Sequence, residues 1–289
     1  MPLCWLAQTE EVTRTMLDAN APILIATDLS ARSDRAVDRA IMLGRQSGCP
    51  VRVAHVLDPD GHETMDPEAI EARVRQVLPD DAGAVEIALL HGSPPSALAA
   101  EAERIGARLI VAGVARYNQV TDYLLGTAID YLLRKASVPV LVVKQRPKAP
   151  YRRILLPVDL SAASRQALLV ACAMFPDARI IAVHAFHVGY EGLRAPSHTL
   201  EETRSENEAE LTAFLASPEL AEIKGRVETR AMKGGTEQCV ADAIDEYGPD
   251  LVVLGTHGSG SLRHLTIGSK ANTMLSWIAV DTMVVRADG

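Results

Sequence analysis

Short runs of β-branched and aliphatic residues alternate along this chain with longer stretches whose apolar residues recur every three or four positions. In the first half, strand-like runs occur at Ile23–Ala26, Val51–Leu57, Val85–Leu90, Leu109–Ala112 and Val140–Val143. Helical patterns separate them, among them Pro67–Val77, Pro95–Ile105 and Leu125–Lys135. In the first helical stretch Ala36, Ile41 and Leu43 lie among Arg32, Arg35, Asp38 and Arg39, as an amphipathic helix places them. The second half reads as strands at Ile154–Leu156, Ile180–Ala185, Val227–Met232, Leu251–Leu254 and Met283–Val285. Its helical stretches are Ala162–Met174, Thr199–Leu215, Thr236–Tyr247 and Ser269–Trp277. Strands that are apolar almost throughout are covered on both faces, and their alternation with helices means βαβ units in a parallel sheet. Right-handed crossovers reduce the topologies to a doubly wound sheet. The predicted class is α/β.

The two halves are copies of one another. Ile23, Leu24, Asp28, Leu29, Ser30, Ala31, Ser33 and Ala36 recur 131 positions later as Ile154, Leu155, Asp159, Leu160, Ser161, Ala162, Ser164 and Ala167. Nearer the ends of the copies the offset is 142: Leu109–Gly113 answers Leu251–Gly255, Gly126 answers Gly268, and Val142-Val143 answers Val284-Val285. The growing offset implies an insertion in the second copy, which carries a longer polar middle from Gly189 to Glu210. The division expected is an extension at 1–20, a first domain at 21–146, a linker at 147–152 and a second domain at 153–289. The connection from Lys144 to Tyr151 contains two prolines, which stiffen it and bar it from a central strand. The extension is a candidate docking helix.

Composition narrows the function. The chain has 289 residues, 29 Lys plus Arg against 37 Asp plus Glu, and only 4% aromatic residues. An acidic chain with few aromatics lacks both the cationic footprint and the stacking platforms of a nucleic-acid binder. Cys4, Cys49, Cys172 and Cys239 are far apart, so neither a CxxC redox pair nor a zinc knuckle is spelled. The longest uncharged apolar run, Ala167–Phe175, is far short of the ~20 residues that span a bilayer. Glu10 and Glu11 sit where a signal peptide is apolar. No membrane segment, no metal centre and a cytoplasmic location are the expectations. The acidic run at 201–208 reads as a solvated helix face, with a lid or partner surface as the alternative.

The residues that carry chemistry lie in loops. In open α/β sheets a ligand sits beyond the carboxyl ends of the strands, where the strand order reverses. The loop after the fourth strand of the second copy runs from Gly255 through His257 and Gly258 to Gly268 and Ser269, which open the last helix. Glycine lets backbone N–H groups close on phosphate oxygens, and a helix start adds oriented donors and the positive dipole end. Such glycines serve equally as builders of a tight loop; their register with Asp159 at the end of the first strand favours phosphate. The loop is neither a Walker A motif nor a dinucleotide fingerprint, since Arg263 stands where the third glycine belongs.

The spacing Gly255-x2-Gly258-x9-Gly268-Ser269, the Asp-x-Ser turn after the first strand and the strand end Val183-His184 resemble the ATP-binding branch of the universal stress protein family. The resemblance covers residues 21–146 and 151–287, so the chain is similar to a tandem universal stress protein. It implies a five-stranded parallel sheet in each domain, with strand order 3-2-1-4-5. It assigns Asp159 to the ribose hydroxyls, with Pro157 and Val158 beside it, and the backbone of Ala185 to adenine. Gly255, Gly258, Gly268 and Ser269 are assigned to the phosphates, His257 to the phosphate loop, and Lys270 either to the phosphates or to the outer helix face. Ala271 stands where a hydroxyl is common. In the first copy the loop from Gly113 to Gly126 and Thr127 keeps the spacing, but Arg116 fills the second glycine slot. There Arg116 either pairs with a phosphate or marks a degenerate site. The second reading is favoured, with Asp122 and Asp130 expected to repel an anion. Thr27, Asp28 and Val56 remain as relics.

The implied protein is a stress-response regulator that takes ATP, ADP or AMP, with or without magnesium, mainly in its second domain. It would act as a nucleotide-linked switch with no catalytic residue. A weak ATPase or self-phosphorylating enzyme and a nucleotide-free interaction module are the alternatives. The family's last strands often pair across a dimer, so the expected assembly is a homodimer or a pseudo-dimer within one chain, with a protein partner left open. Val140–Val143 and Val284–Val285 are the strands that such a pseudo-dimer would join, although Asp281 stands in the second copy where the first has Pro139.

Overall fold

Strand β1 (Ile23–Thr27) shows why these runs are apolar on every residue: Ile23 and Ile25 enter one hydrophobic core and Leu24 the core on the opposite face. The same division holds in β8 (Arg153–Val158), where Ile154, Leu156 and Val158 face one way and Leu155 the other. Successive side chains of a strand point to opposite faces, so two covered faces demand an unbroken apolar run. The computed structural model describes residues 18, 20–31, 33–57, 66–80, 82–114, 116–119, 122–124, 126–187, 197–257 and 269–287. At 116–119, 122–124, 197–199, 257 and 269–270 it describes the backbone only. The proposed helix in residues 1–20 lies outside the described residues, apart from Asp18 and Asn20 in the approach to β1.

The remaining strands are β2 (Val51–Leu57), β3 (Val85–His91), β4 (Leu109–Gly113), β5 (Arg116–Gln119), β6 (Asp122–Leu124) and β7 (Val140–Val143) in the first copy. The second copy adds β9 (Arg179–Phe186), β10 (Val227–Lys233), β11 (Leu251–His257) and β12 (Asp281–Ala287). Among the described residues eight α-helices connect them: α1 (Asp34–Ser47), α2 (Pro67–Val77), α3 (Pro94–Arg104), α4 (Gly126–Lys135), α5 (Ala162–Met174), α6 (Ser197–Leu215), α7 (Thr236–Tyr247) and α8 (Ser269–Trp277). Their ends follow local chemistry. Proline opens α2 and α3, left-handed Gly48 and Gly248 close α1 and α7, and the Ser161 hydroxyl accepts the Ser164 N–H at the start of α5. α1, α2, α5 and α6 pack on one face of the sheet; α3, α4, α7 and α8 pack on the other.

The sheet runs β10-β9-β8-β11-β12-β7-β4-β1-β2-β3. Each half is parallel with internal order 3-2-1-4-5, the doubly wound arrangement the resemblance implied. The halves join through the antiparallel pair β7–β12, where Leu141 pairs with Met283, its own counterpart in the repeat. A local twofold therefore passes between these residues, as in an isologous dimer interface contained in one chain. Both strands lose an open edge by this pairing.

Two cations cross that axis reciprocally. Arg286, in β12, donates to the carbonyls of Arg134 and Ala136 at the end of α4, at 2.8 and 3.2 Å. Lys144, its counterpart, donates from Nζ to the carbonyls of Leu275 and Ile278 at the end of α8, at 2.9 and 2.7 Å. Each copy thus supplies the cation that satisfies the last carbonyls of the other copy's final helix. Lys144 is buried, and this burial lowers its ammonium to about 7 against the opposing pull of the Asp281 charge.

The connection between the copies is anchored at both ends. Asp281, 1% exposed, accepts from the backbone N–H groups of Lys144 and Gln145 at 2.8 and 2.9 Å and from the Tyr151 hydroxyl at 2.5 Å. Its second oxygen also lies 3.4 Å from Arg39 Nε, and the Arg39 guanidinium stacks 4.0 Å above the Tyr151 ring. The departure from proline at position 281 thus coexists with the central pairing and supplies its polar anchor.

One element departs from the sequence reading. The first copy's loop after β4 folds into the antiparallel hairpin β5–β6, which lies against α8 of the second copy. The stretch from Arg116 to Leu124 has no glycine and carries Tyr117, Val120, Thr121 and Tyr123, residue types that suit a pleated strand. The insertion in the second copy contributes α6, whose acidic run faces solvent while Leu211, Phe214 and Leu215 enter the core.

Candidate functional site

The first strand of each copy ends in the same strained turn. Leu29 has φ +58° and Leu160 has φ +62°, a region that a branched side chain enters at a cost of about 1–3 kcal/mol. Asp28 Oδ1 accepts from the Ser30 N–H at 3.0 Å and the Ser30 hydroxyl at 2.5 Å. Asp159 Oδ1 accepts from the Ser161 N–H at 3.1 Å and the Ser164 hydroxyl at 2.5 Å. A buried hydroxyl braces each turn from the following helix. Ser164 Oγ also accepts from the Asp159 N–H at 3.0 Å. In the first copy the Ser33 hydroxyl donates to the Ser30 carbonyl, so at 3.0 Å from Thr27 Oγ1 it is the acceptor and Thr27 the donor. These networks fix each aspartate at the carboxyl end of the first strand of its own copy.

A histidine on the neighbouring strand completes the brace. His55 Nδ1 lies 3.0 Å from the Thr27 carbonyl, and His184 Nδ1 lies 2.9 Å from the Val158 carbonyl. A carbonyl can only accept, so the network assigns the proton to Nδ1 in both rings. The strand end Val183-His184 was visible in the sequence; that His55 repeats its role was not. The signal available was a histidine near the end of the second strand in each copy.

In the first copy these elements surround a cavity of about 360 Å³. Thr27, Asp28, Val56, Gly113, Gly126 and Thr127 all line it, which places the predicted first-copy positions other than Arg116 around one space. Ala26, Ala54, Leu98, Ile129 and Leu132 supply apolar wall. The start of α4 also borders the cavity, with Gly126 at φ +78°, so first-turn N–H groups lie at its rim. The Arg116 side chain lies outside the described residues, as does that of Asp122. Asp130, expected to repel an anion, is ion-paired with Arg134 on α4 and is not a lining residue.

In the second copy the register pairs Pro157 with Val183 and Val158 with His184, setting Asp159 just beyond the end of β8 and half-buried Ala185 near the end of the adjacent β9. β11, on the other side of β8, carries Gly255 and ends at His257, and α8 opens at Ser269 and Lys270. Gly258, Gly268 and the side chains of His257, Ser269 and Lys270 lie outside the described residues. Gly255 has a packing reason of its own. A Cβ there would stand 2.6 Å from the Ala163 carbonyl oxygen and 3.2 Å from the Ser164 nitrogen, so the first turn of α5 can approach only a glycine. That close approach holds Ser164 against Asp159.

The model of the universal stress protein family matches residues 20–144 and again residues 150–286. The chain belongs to the universal stress protein family. Among curated relatives, stress response protein NhaX of Bacillus subtilis is 25% identical over 160 residues, covering 42% of this chain and 96% of that protein. A universal stress protein of Mycobacterium tuberculosis is 27% identical over 191 residues, covering 62% of this chain and 62% of its own length. The matched region is thus just under two thirds of the mycobacterial protein. In fold, a universal stress protein from Archaeoglobus fulgidus superposes with a TM-score of 0.64 at 18% identity, over 92% of this chain and 98% of that one. A functionally unknown protein from Pseudomonas aeruginosa gives 0.68 at 18% identity, over 95% of each chain. This tandem universal stress protein therefore shares its two-copy architecture with solved structures at sequence identities that establish the fold alone. Among its described residues, no helix is long and apolar enough to cross a membrane.

Proposed function

We propose that this universal stress protein is a stress-response regulator that binds an adenine nucleotide in its second copy. ATP, ADP or AMP, with or without magnesium, is the ligand class, and the reading assigns no catalytic residue. The observation that supports it most is the convergence of Pro157, Val158, Asp159, Ala185 and Gly255 at and near the carboxyl ends of β8, β9 and β11. On this reading the Asp159 carboxylate, oriented by Ser161 and Ser164, takes the ribose hydroxyls. Gly255, Gly258, Gly268 and Ser269 take the phosphates, with His257 and Lys270 beside them. The units are the domains at 21–146 and 153–289. Nucleotide ordering the loop between Gly255 and Gly268 would shift the population toward one surface, which a protein partner reads.

Calorimetric titration with ATP, ADP and AMP tests this reading. One site per chain is expected; neither heat nor a thermal shift with any of the three overturns it. A second reading is favoured by the first-copy cavity, which keeps about 360 Å³ of space at the same positions. Two sites per chain would show that the first copy is also a receptor. Product analysis over time in the same mixtures separates binding from hydrolysis: steady nucleotide turnover would replace the switch with an enzyme.

A further inference from the structure

A second cavity, of about 510 Å³, lies where the copies meet on the side of the sheet covered by α1 and α5, and it shares no lining residue with the first. Its walls include the amino ends of β1 and β4, at Ile23 and Leu109, and Ala178, the residue before β9 of the second copy. The last turns of α1 and α5 and the connection at Pro150–Arg152 close its sides. Leu43, Leu109, Met174 and Phe175 make much of the lining apolar, while its charged residues are Arg108, Arg152 and Asp177.

Arg108 is the feature that asks for a ligand. It is 6% exposed, yet among the described residues its guanidinium has a single hydrogen-bond partner, the Cys49 sulfur at 2.7 Å. A thiol sulfur is a weak acceptor, and a guanidinium carries five donors. A buried charge is costly unless it is paired and hydrogen-bonded. Other arginines of this fold obey that rule: Arg39 meets Asp281 and the Ala149 carbonyl, and Arg52 meets Glu86 and Glu101. Arg108 is paired with no carboxylate among the described residues, and it borders a space large enough for a small organic molecule. The exposed Arg152 adds a second cation and Asp177 a single anion, which leaves the lining net positive.

We infer that this cavity binds an organic anion with an apolar body and one carboxylate head, the head on Arg108 and the body against Leu43, Leu109, Met174 and Phe175. A planar guanidinium matches a carboxylate in shape as well as charge. The site spans both copies, so its occupant would tie their relative placement. It stands apart from the nucleotide reading.

The test is calorimetric titration of the full chain with 2-naphthoate, with its neutral analogue 2-naphthylmethanol, and with acetate. Naphthoate should bind at one site per chain, and the alcohol and acetate each at least tenfold more weakly. Arg108→Met should weaken naphthoate at least tenfold and leave the alcohol unchanged, which separates loss of head recognition from collapse of the cavity. Ala173→Phe, filling the space from α5, should abolish binding of both aromatic ligands. Should Arg108→Met fail to fold, Arg108→Lys carries the test, with weakened naphthoate and unchanged alcohol expected. Saturating ATP should leave the naphthoate affinity unaltered. Equal affinity for acid and alcohol, no binding at millimolar concentration, unaltered naphthoate binding after substitution at Arg108, or displacement by ATP would each overturn the inference.

Discussion

At the point where the last strand begins, the first copy has Pro139 and the second has Asp281, and much of the asymmetry of the molecule follows from that pair. Proline has no side-chain acceptor, so β7 enters the sheet through backbone pairing alone. Asp281 turns the equivalent place in β12 into the anchor of the connection between the copies, gathering Lys144, Gln145, Tyr151 and Arg39 around one carboxylate. The loops after the fourth strands diverge in the same way. The first copy spends its loop on a hairpin against α8, while the second keeps the glycine spacing from Gly255 to Gly268. Two copies of one fold have therefore come to differ in what their strand ends hold: one set contributes to the contact between the halves, and the other retains the pattern of a ligand loop.

The sharpest way to break this comparison is at Asp281. Asp281→Ala should lower the unfolding free energy by about 3–5 kcal/mol, because it leaves Arg39 and several buried donors without their carboxylate. Pro139→Ala at the counterpart should cost about 1 kcal/mol or less, chiefly through the greater freedom of the unfolded chain. Urea denaturation of both variants checks the contrast, and equal losses would remove it.

The ligand loops are compared by substituting the two turn aspartates. Asp159→Ala should weaken adenine nucleotide about 10- to 100-fold, the worth of hydrogen bonds to a charged group of about 1.5–3 kcal/mol. Asp28→Ala should leave that affinity unchanged. Calorimetry on the two variants decides, and a loss confined to Asp28→Ala would transfer the site to the first copy.

The reciprocal cations give a smaller, pH-dependent difference. Burial lowers Lys144 to about 7 in the folded chain, whereas an unfolded lysine titrates near 10.4. Between those values the unfolded chain binds more protons, so stability should rise with pH, by on the order of 1–2 kcal/mol from pH 7 to 9. Tyr151, raised well above its ordinary value by burial and the Asp281 charge, opposes this only above about pH 10, where the unfolded tyrosine ionises first. Lys144→Met should flatten the rise between pH 7 and 9, measured as the urea midpoint at each pH. Arg286→Met should leave that rise intact and cost about 0.5–1.5 kcal/mol at every pH, the worth of an ordinary hydrogen bond.

Several elements were legible residue by residue. The limits of β2, β7, α2, α5, α7 and α8 coincide with those read from periodicity, because apolar runs and helical spacing are local properties. The strand order and the pairing of the two last strands, β7 with β12, both came from the family resemblance. The role of Asp281 was hidden: its partners Lys144, Gln145 and Tyr151 read as an ordinary stiff linker, and they lie 130–137 positions away. The hairpin was hidden for another reason. Its spacing matched the glycine loop of the second copy, so the strand tendency of Tyr117, Val120, Thr121 and Tyr123 was outweighed by the repeat. Gly255 was legible as a functional glycine and not as a packing one, since the approach of Ala163 exists only in three dimensions.

By itself, then, the sequence determined the doubled α/β architecture, the placement of most strands and helices, and the family whose loop spacing it carries. Each of these depends on residues near one another in the chain or on their recurrence at a fixed offset. Only the tertiary structure decided which polar groups are buried and who answers them: Asp281 with its donors, Lys144 on the carbonyls of the other copy's last helix, and Arg108 beside a cavity with a thiol as its one described partner. The cost of burying a charge is set by what surrounds it after folding. Those surroundings come from segments 59 to 137 residues apart, so no local pattern announces them.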